Sequence, residues 1–424
     1  MARFLFVGVG HQERALTGLI TYSPIGEAGS WKNSLRKTKT KEQLIGSSKK
    51  TNLLNAFHSR KINHLPAAFR GNKADAAGPT AEDNSIEHHV LGMQDEDETG
   101  HTIPILSLFE IIEKMQENNR RKSKQSYGAM YSSIIGGITV DPTLMVIPLD
   151  DHMVHRGHGV FDTALIIDGH LYELDSHLDR LLRSALMAKI APPFDRSYLR
   201  SILIQTVAAS QCKQGSLRYW LTAGPGDFFL SSSGCPNSAF YAVVIENALS
   251  FHTEGVKVVT SSVPMKPPQF ATMKNVNYLP NVLSKMEAEE KGAYAAIWFD
   301  DEGFVAEGPN MNVAFINKDK ELLMPSFEKI LSGCTAKRML DLASTLVEQG
   351  VISDIRIGNI TAEEGKAAEE MMLIGSGVQV TPVIMWDEQP IGNGKCGPIT
   401  HTLLNMLLED MKAGPSCIRV AVPY

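Results

Sequence analysis

From Tyr127 onward the chain is a succession of short β-type runs closed by Gly, Pro or Asp, with amphipathic helical stretches between them. TLMVIPL, FDTALIID, GSLRYWLTAG and FYAVVIE are too short and too strongly punctuated for helices, and read as strands. Between them HLDRLLRSALMAKI sets Leu178, Leu181, Leu182 and Leu186 on one helical stripe. A second series begins near His252 with KVVTSSVPM. It continues with a helix, LPNVLSKMEAEEKGA, along which Leu279, Val282, Leu283 and Met286 share a side. AAIWFDD, FVAEG, NVAFIN and ELLMP follow as strands, then the helix SGCTAKRMLDLASTLVEQG, then the strands ISDIRIG, EMMLIGSG and VTPVIM. The pattern predicts an α+β protein without internal repeats. Its expected divisions are an N-terminal extension over 1–126, a small α+β domain over 127–249 and a larger domain over 250–424.

The extension is different in kind. Residues 1–74 carry thirteen Lys or Arg against only Glu13, Glu27 and Glu42, and an acidic stretch follows. A basic, acid-poor N-terminus resembles an organelle transit segment, although MARFLFVGVG could equally be a strand or a remnant of another domain, and a disordered cytosolic extension is the plainer reading. Near its end, residues 104–122 space Leu106, Phe109, Ile112 and Met115 as one face of a helix. With a formal charge of -6 and 21% charged residues, the chain offers no basic field for nucleic acid, and no apolar run has membrane-spanning length. A small molecule is the expected partner. Five scattered cysteines without a CxxC pair point to a reducing compartment and no structural zinc.

The most conspicuous cluster is DDHMVHRGHGVFDT, with His152, His155 and His158 three apart. On a helix they would share a face and could hold a metal. Gly157 and Gly159 argue against a helix there, and on a strand the same spacing splits the cluster. No metal is expected. Three other features suit a phosphorylated ring compound. Lys274, in FATMKNVNYLP, precedes a helix; it is a candidate for covalent attachment or simply a solvated lysine. Gly333, Cys334 and Thr335 stand at a helix N-terminus, an anion site or an ordinary cap. Glu307 lies where a strand meets a Gly-Pro turn, facing either solvent or a buried cation.

Taken in order, HGVFDTALIIDGHLYELDSHLDRLLRSA, MKNVNYLPNVLSKMEAEEKGAY, VAEGPNMNVAFI, LSGCTAKR and LIGSGVQVTPV resemble the class IV aminotransferases. That family comprises D-amino-acid transaminases, branched-chain aminotransferases and aminodeoxychorismate lyases. The resemblance runs from about Tyr127 to Tyr424 and is strongest to the plant D-amino-acid transaminase-like group. It implies a fold type IV enzyme, two α/β domains with pyridoxal 5'-phosphate at their interface, acting as a homodimer. By the resemblance Lys274 bonds to the cofactor and Arg180 binds its phosphate. Thr335 with the Cys334 backbone, and Ser376 with Gly377, complete the phosphate site. Glu307 pairs with the pyridine nitrogen and Tyr278 approaches the ring phenolate.

Substrate recognition is less settled by the motifs. Bacterial D-amino-acid transaminases carry a carboxylate-binding arginine where this chain has Ala223, and a tyrosine where it has Phe161. Arg218, backbone NH groups near Gly377 or the GPGDF loop are the substitutes, though Arg218 could also be an ordinary strand residue. Thr163 is a candidate hydroxyl on the same strand face as Phe161. The implied activity is transfer of the amino group of D-amino acids such as D-alanine to 2-oxo acids. The alternatives are aminodeoxychorismate lyase, making 4-aminobenzoate and pyruvate for folate synthesis, branched-chain transamination, and cofactor binding without turnover. A chloroplast location follows from the basic N-terminus and the resemblance, with the cytoplasm as the alternative.

Overall fold

The computed structural model describes residues 103–121, 126–247 and 252–424, all within one compact unit, Gln94–Tyr424. The transit-like segment and the acidic stretch after it lie outside the described residues. Helix α1 (Leu108–Arg121) forms where the periodicity predicts it, but buries no residue, and Phe109 is exposed. The chain then runs through β1 (Ser126–Ser132), β2 (Gly137–Thr139), α2 (His152–Arg156), β3 (Gly159–Ile167), β4 (His170–Tyr172), α3 (Leu174–Met187), α4 (Arg196–Ser210), β5 (Gly215–Thr222) and β6 (Ala239–Glu246). There follow β7 (Val256–Thr260), α5 (Pro268–Ala271), α6 (Leu279–Glu290), β8 (Ala295–Ile297), β9 (Asn312–Ile316), β10 (Glu321–Pro325) and α7 (Cys334–Glu348). The last elements are β11 (Asp354–Gly358), α8 (Ala362–Lys366), β12 (Glu370–Gly375), β13 (Gln379–Trp386), β14 (Gln389–Pro390), α9 (Pro398–Ala413) and β15 (Arg419–Ala421).

Two sheets result, one of seven strands in the order β15-β4-β3-β5-β6-β1-β2 and one of eight, seven of them in the order β11-β10-β9-β12-β13-β7-β8 and the eighth, β14, paired with β13 off that path. β15 returns the end of the chain to the first sheet by pairing with β4, so the expected second domain lends its last strand to the first. Alternation along β3 separates its two faces. Val160 and Ala164 pack under α3 and α4, whereas Leu165 and Ile167 join a core with α7 and α9 of the second sheet. The two sheets therefore share apolar packing along β3, and Phe161 and Thr163 lie at its edge.

Several expectations fail for identifiable reasons. DHMVHRG does form a helix, because Asp151 Oδ1 caps the Met153 NH at 2.9 Å and Gly157, at φ 65°, ends the turn rather than interrupting it. A side chain at 157 would also collide with Asn277. The three histidines are gathered after all, His152 and His158 meeting Nδ1 to Nδ1 at 3.2 Å, but their other nitrogens face the carbonyls of Phe229, Asp150 and Ala188. Among the described residues no group of His, Cys, Asp or Glu is arranged to hold a metal. TLMVIPL is a 3-10 turn and irregular chain, and FVAEG contributes only isolated bridges. Leu186 is exposed, since the face of α3 that enters the core runs through Leu178, Leu181 and Ala185 and Leu186 lies off it. Most tellingly, Leu279, Val282, Leu283 and Met286 of α6 face outward, while Asn281, Ser284 and Ala288 are the buried side.

Candidate active site

A cavity of about 760 Å³ is lined by residues of both sheets, among them every site residue expected from the sequence: Phe161, Thr163, Arg180, Arg218, Lys274, Tyr278, Glu307, Gly333, Cys334, Thr335, Ser376 and Gly377. Local pairing explains how they meet. Lys274 sits in the turn between α5 and α6, and that turn is stitched to the rim of β3: the Phe161 NH donates to the Lys274 carbonyl at 3.0 Å and the Val276 NH to the Gly159 carbonyl at 3.1 Å. The Lys274 NH donates to Ser184 Oγ on α3 at 3.1 Å. With its backbone fixed on two elements, the side chain points to Tyr278, whose hydroxyl is 3.4 Å from Nζ.

Arg180 projects from α3 and is nearly buried, a costly position for a cation unless it is paired. Asp162, the inward neighbour of Phe161 on β3, supplies the pair: Oδ2 accepts from Nε at 2.9 Å and Oδ1 from Nη2 at 2.8 Å. The same carboxylate contacts His177 Nδ1 at 2.8 Å. Burial opposes the Asp162 charge, but Arg180 and His177 outweigh it and hold the carboxyl far below its usual range. Burial likewise lowers His177, yet the Cys334 thiol and Asp162 carry it up to about 10. Arg180 Nη1 reaches the Ser332 carbonyl at 3.2 Å, next to the start of α7.

That helix start is open. Gly333 is its N-cap and no side chain caps it, so the first NH groups are left for an external acceptor. Glycine is required there, because a Cβ would overlap the Asn312 side-chain oxygen. Thr335 Oγ1 and Ser376 Oγ face each other at 3.2 Å, and nothing stands near the open side of Gly377. Arg180, free NH groups and two hydroxyls form a donor set suited to a phosphate. Glu307, buried beyond the bridge between Gly308 and Met311, accepts from the Leu331 NH at 3.3 Å and from Asn312 Nδ2 at 3.5 Å. Burial pushes its carboxyl up to about 8, only partly offset by Lys266, the Leu331 NH and Lys274. A buried acid with so few donors suits a cationic ligand atom.

On the opposite strands of the first sheet, Thr163 is in register with Arg218, whose Nε donates to Thr163 Oγ1 at 3.2 Å. Arg218 also stands over the Phe161 ring, so the three are one surface of the cavity. Asp162, His177, Asn312 and Lys266 were not anticipated. A signal existed for the first two: Asp162 alternates inward on β3, and His177 and Arg180 fall on the same buried helical face as Leu174, Leu178 and Leu181. Lys266, in an irregular segment before α5, had none.

Comparison with known proteins agrees with this construction. The family description amino-transferase class IV matches residues 159–386. The chloroplastic D-amino-acid transaminase of Arabidopsis thaliana is 60% identical over 336 residues, which is 79% of this chain and 89% of that protein. The D-alanine aminotransferase of Bacillus licheniformis is 28% identical over 66% of this chain and 96% of its own. Among solved structures, the branched-chain amino acid aminotransferase of Thermobaculum terrenum in its PLP-bound holo form superposes with a TM-score of 0.63 at 20% identity, covering 70% of this chain and 99% of that one. The chain belongs to the class IV aminotransferases, which work with pyridoxal phosphate.

Proposed function

We propose that this protein is a transaminase that moves the amino group of D-amino acids such as D-alanine to 2-oxo acids. The observation that carries the reading is the joint presence, around one cavity, of Lys274, Glu307 and the Asp162-paired Arg180, in a chain 60% identical to a D-amino-acid transaminase. Pyridoxal phosphate supplies, when bound, an electron-withdrawing ring that stabilises negative charge on the substrate α-carbon. Arg180, the uncapped start of α7 at Gly333, Cys334 and Thr335, and the turn at Ser376 and Gly377 would hold its phosphate. Glu307 would keep the ring nitrogen protonated, the cation its raised pKa leaves it poised to pair with. Lys274 would attach the cofactor and, once released as a free amine, carry the proton to and from the α-carbon. The Tyr278 hydroxyl, within reach of Nζ, would orient that amine and approach the ring phenolate. Phe161, Thr163 and Arg218 would bind substrate, Arg218 replacing the arginine that Ala223 removes.

The exposed stripe of Leu279, Val282, Leu283 and Met286 supports a homodimer, since such a row of apolar side chains on one helix is normally covered. The chloroplastic relative and the basic N-terminal residues support import into the chloroplast. The test of the activity is to supply D-alanine with 2-oxoglutarate, and separately aminodeoxychorismate, and to follow pyruvate and D-glutamate. D-Glutamate is expected from the first pair. Pyruvate from aminodeoxychorismate alone, without D-glutamate, would overturn the reading in favour of the lyase.

A further inference from the structure

Five cations line the cavity, and their surroundings differ. Arg180 is paired with Asp162. Lys285 is paired with Glu289 at 3.3 Å and donates to the Tyr294 carbonyl. Lys274 is engaged by the Tyr278 hydroxyl and by the proposed chemistry. Two remain without a carboxylate. Arg218 donates only to the Thr163 hydroxyl. Lys266, between β7 and α5, has no hydrogen bond or ion pair among the described residues; its Nζ stands over the Tyr278 ring, 4.8 Å from the centroid.

These two cations flank the reacting amine. Phe161 and Tyr278 pack edge to face with centroids 5.1 Å apart, and Lys274 Nζ is 4.9 Å from the Phe161 centroid. Arg218 lies against Phe161, its guanidinium carbon 5.8 Å from the centroid, and Lys266 against Tyr278. Burial lowers the Lys266 pKa and Lys274 adds to this, with Glu307 the acid that opposes them. Glu307 is not within ion-pair distance, and its charge is committed to the ring nitrogen in the reading above. A half-buried ammonium left in this position gains most from an anion that the ligand itself brings.

We propose that Lys266 binds the second carboxylate of dicarboxylic substrates while Arg218 takes the first, so that Lys266 sets the preference for dicarboxylic over monocarboxylic acids. The inference rests on the transaminase reading for the position of the reacting amine. Its test separates the two. Glutarate and butyrate are unreactive probes with two carboxylates and one, and their affinities for the holoenzyme are measured by calorimetry. The wild-type protein is expected to prefer glutarate, and Lys266→Met to reduce the glutarate-to-butyrate affinity ratio about ten- to hundredfold, the worth of a charged hydrogen bond. Lys266→Arg is expected to restore most of that ratio. In turnover, the ratio of kcat/KM for 2-oxoglutarate against pyruvate should fall by a similar factor, through KM rather than kcat. Equal loss for both probes, an unchanged ratio, or a wild-type protein without preference for glutarate would overturn the assignment. A Lys266-dependent glutarate preference in a protein that does not transaminate D-alanine would sink the activity reading and leave this carboxylate site standing.

Discussion

Asp162→Asn removes the charge that makes the buried Arg180 tolerable, while keeping the shape of the side chain. In the native protein one fully buried carboxylate holds two groups at once, Arg180 through two bonds of 2.8 and 2.9 Å and His177 at 2.8 Å. Breaking a buried pair from one side costs about 3–5 kcal/mol, because the remaining charge stays desolvated. The amide can still accept one bond, which places the expected loss near about 3 kcal/mol. Urea unfolding of the apo-protein measures it. Arg180 also loses the partner that aims it at the start of α7, so cofactor affinity, read from absorbance titrations, should fall about tenfold or more. The pH dependence gives a second check. His177 is raised from 6.5 to about 10, so its contribution is fully present below pH 6.5 and is lost as pH rises through 10. Asp162 is depressed, so its contribution is present above the ordinary carboxylate range and is lost only as pH falls well below it. Wild-type stability should therefore decline between about pH 6.5 and 10, and the variant, missing one of the charges that raise His177, should decline less. A loss under about 1 kcal/mol, or unchanged cofactor affinity, would refute the clamp.

Other consequences are as direct. Lys274→Ala should abolish the absorbance of the covalently held cofactor and lower turnover about a thousandfold or more, as expected when attachment and proton transfer share one group. Glu307→Gln should lower kcat about a hundredfold, yet stabilise the apo-protein: the native carboxyl is raised from 4.5 to about 8, so its contribution to stability, present below 4.5, is lost as pH rises through 8. Thermal unfolding at pH 8 should favour the variant by roughly 1–3 kcal/mol, and the advantage should vanish towards pH 4.5. Leu283→Asp, on the exposed stripe of α6, should shift sedimentation from dimer to monomer; an unchanged dimer would place the interface elsewhere.

The legible parts of the molecule were those governed by local periodicity. β3, β5, β6, α3, α6 and α7 stand where alternation or a helical stripe announces them. The illegible parts depended on competition between local signals. Gly157 reads as a helix breaker when weighed residue by residue, but with Asp151 capping the other end it is a terminator, and the short helix forms. TLMVIPL has strand composition and no partner strand to pair with. The α6 stripe reads as a core face, and in this chain it is not one, because Asn281 and Ser284 occupy the buried side.

For the site, motif and spacing marked the candidates: Lys274, Glu307, Thr335 and Ser376 each sit at a turn or helix start with a chemical reason to be there, while Arg180 stands midway along α3 and is marked by the family motif alone. By itself the sequence determined the principal strands and helices, the family and the inventory of reactive groups, since these follow from short-range pattern. The tertiary structure alone decided which charges are compensated. Asp162 and Arg180 are eighteen residues apart and Lys266 and Tyr278 twelve, and whether a cation is paired or left free for substrate depends on distances across sheets that no local pattern encodes.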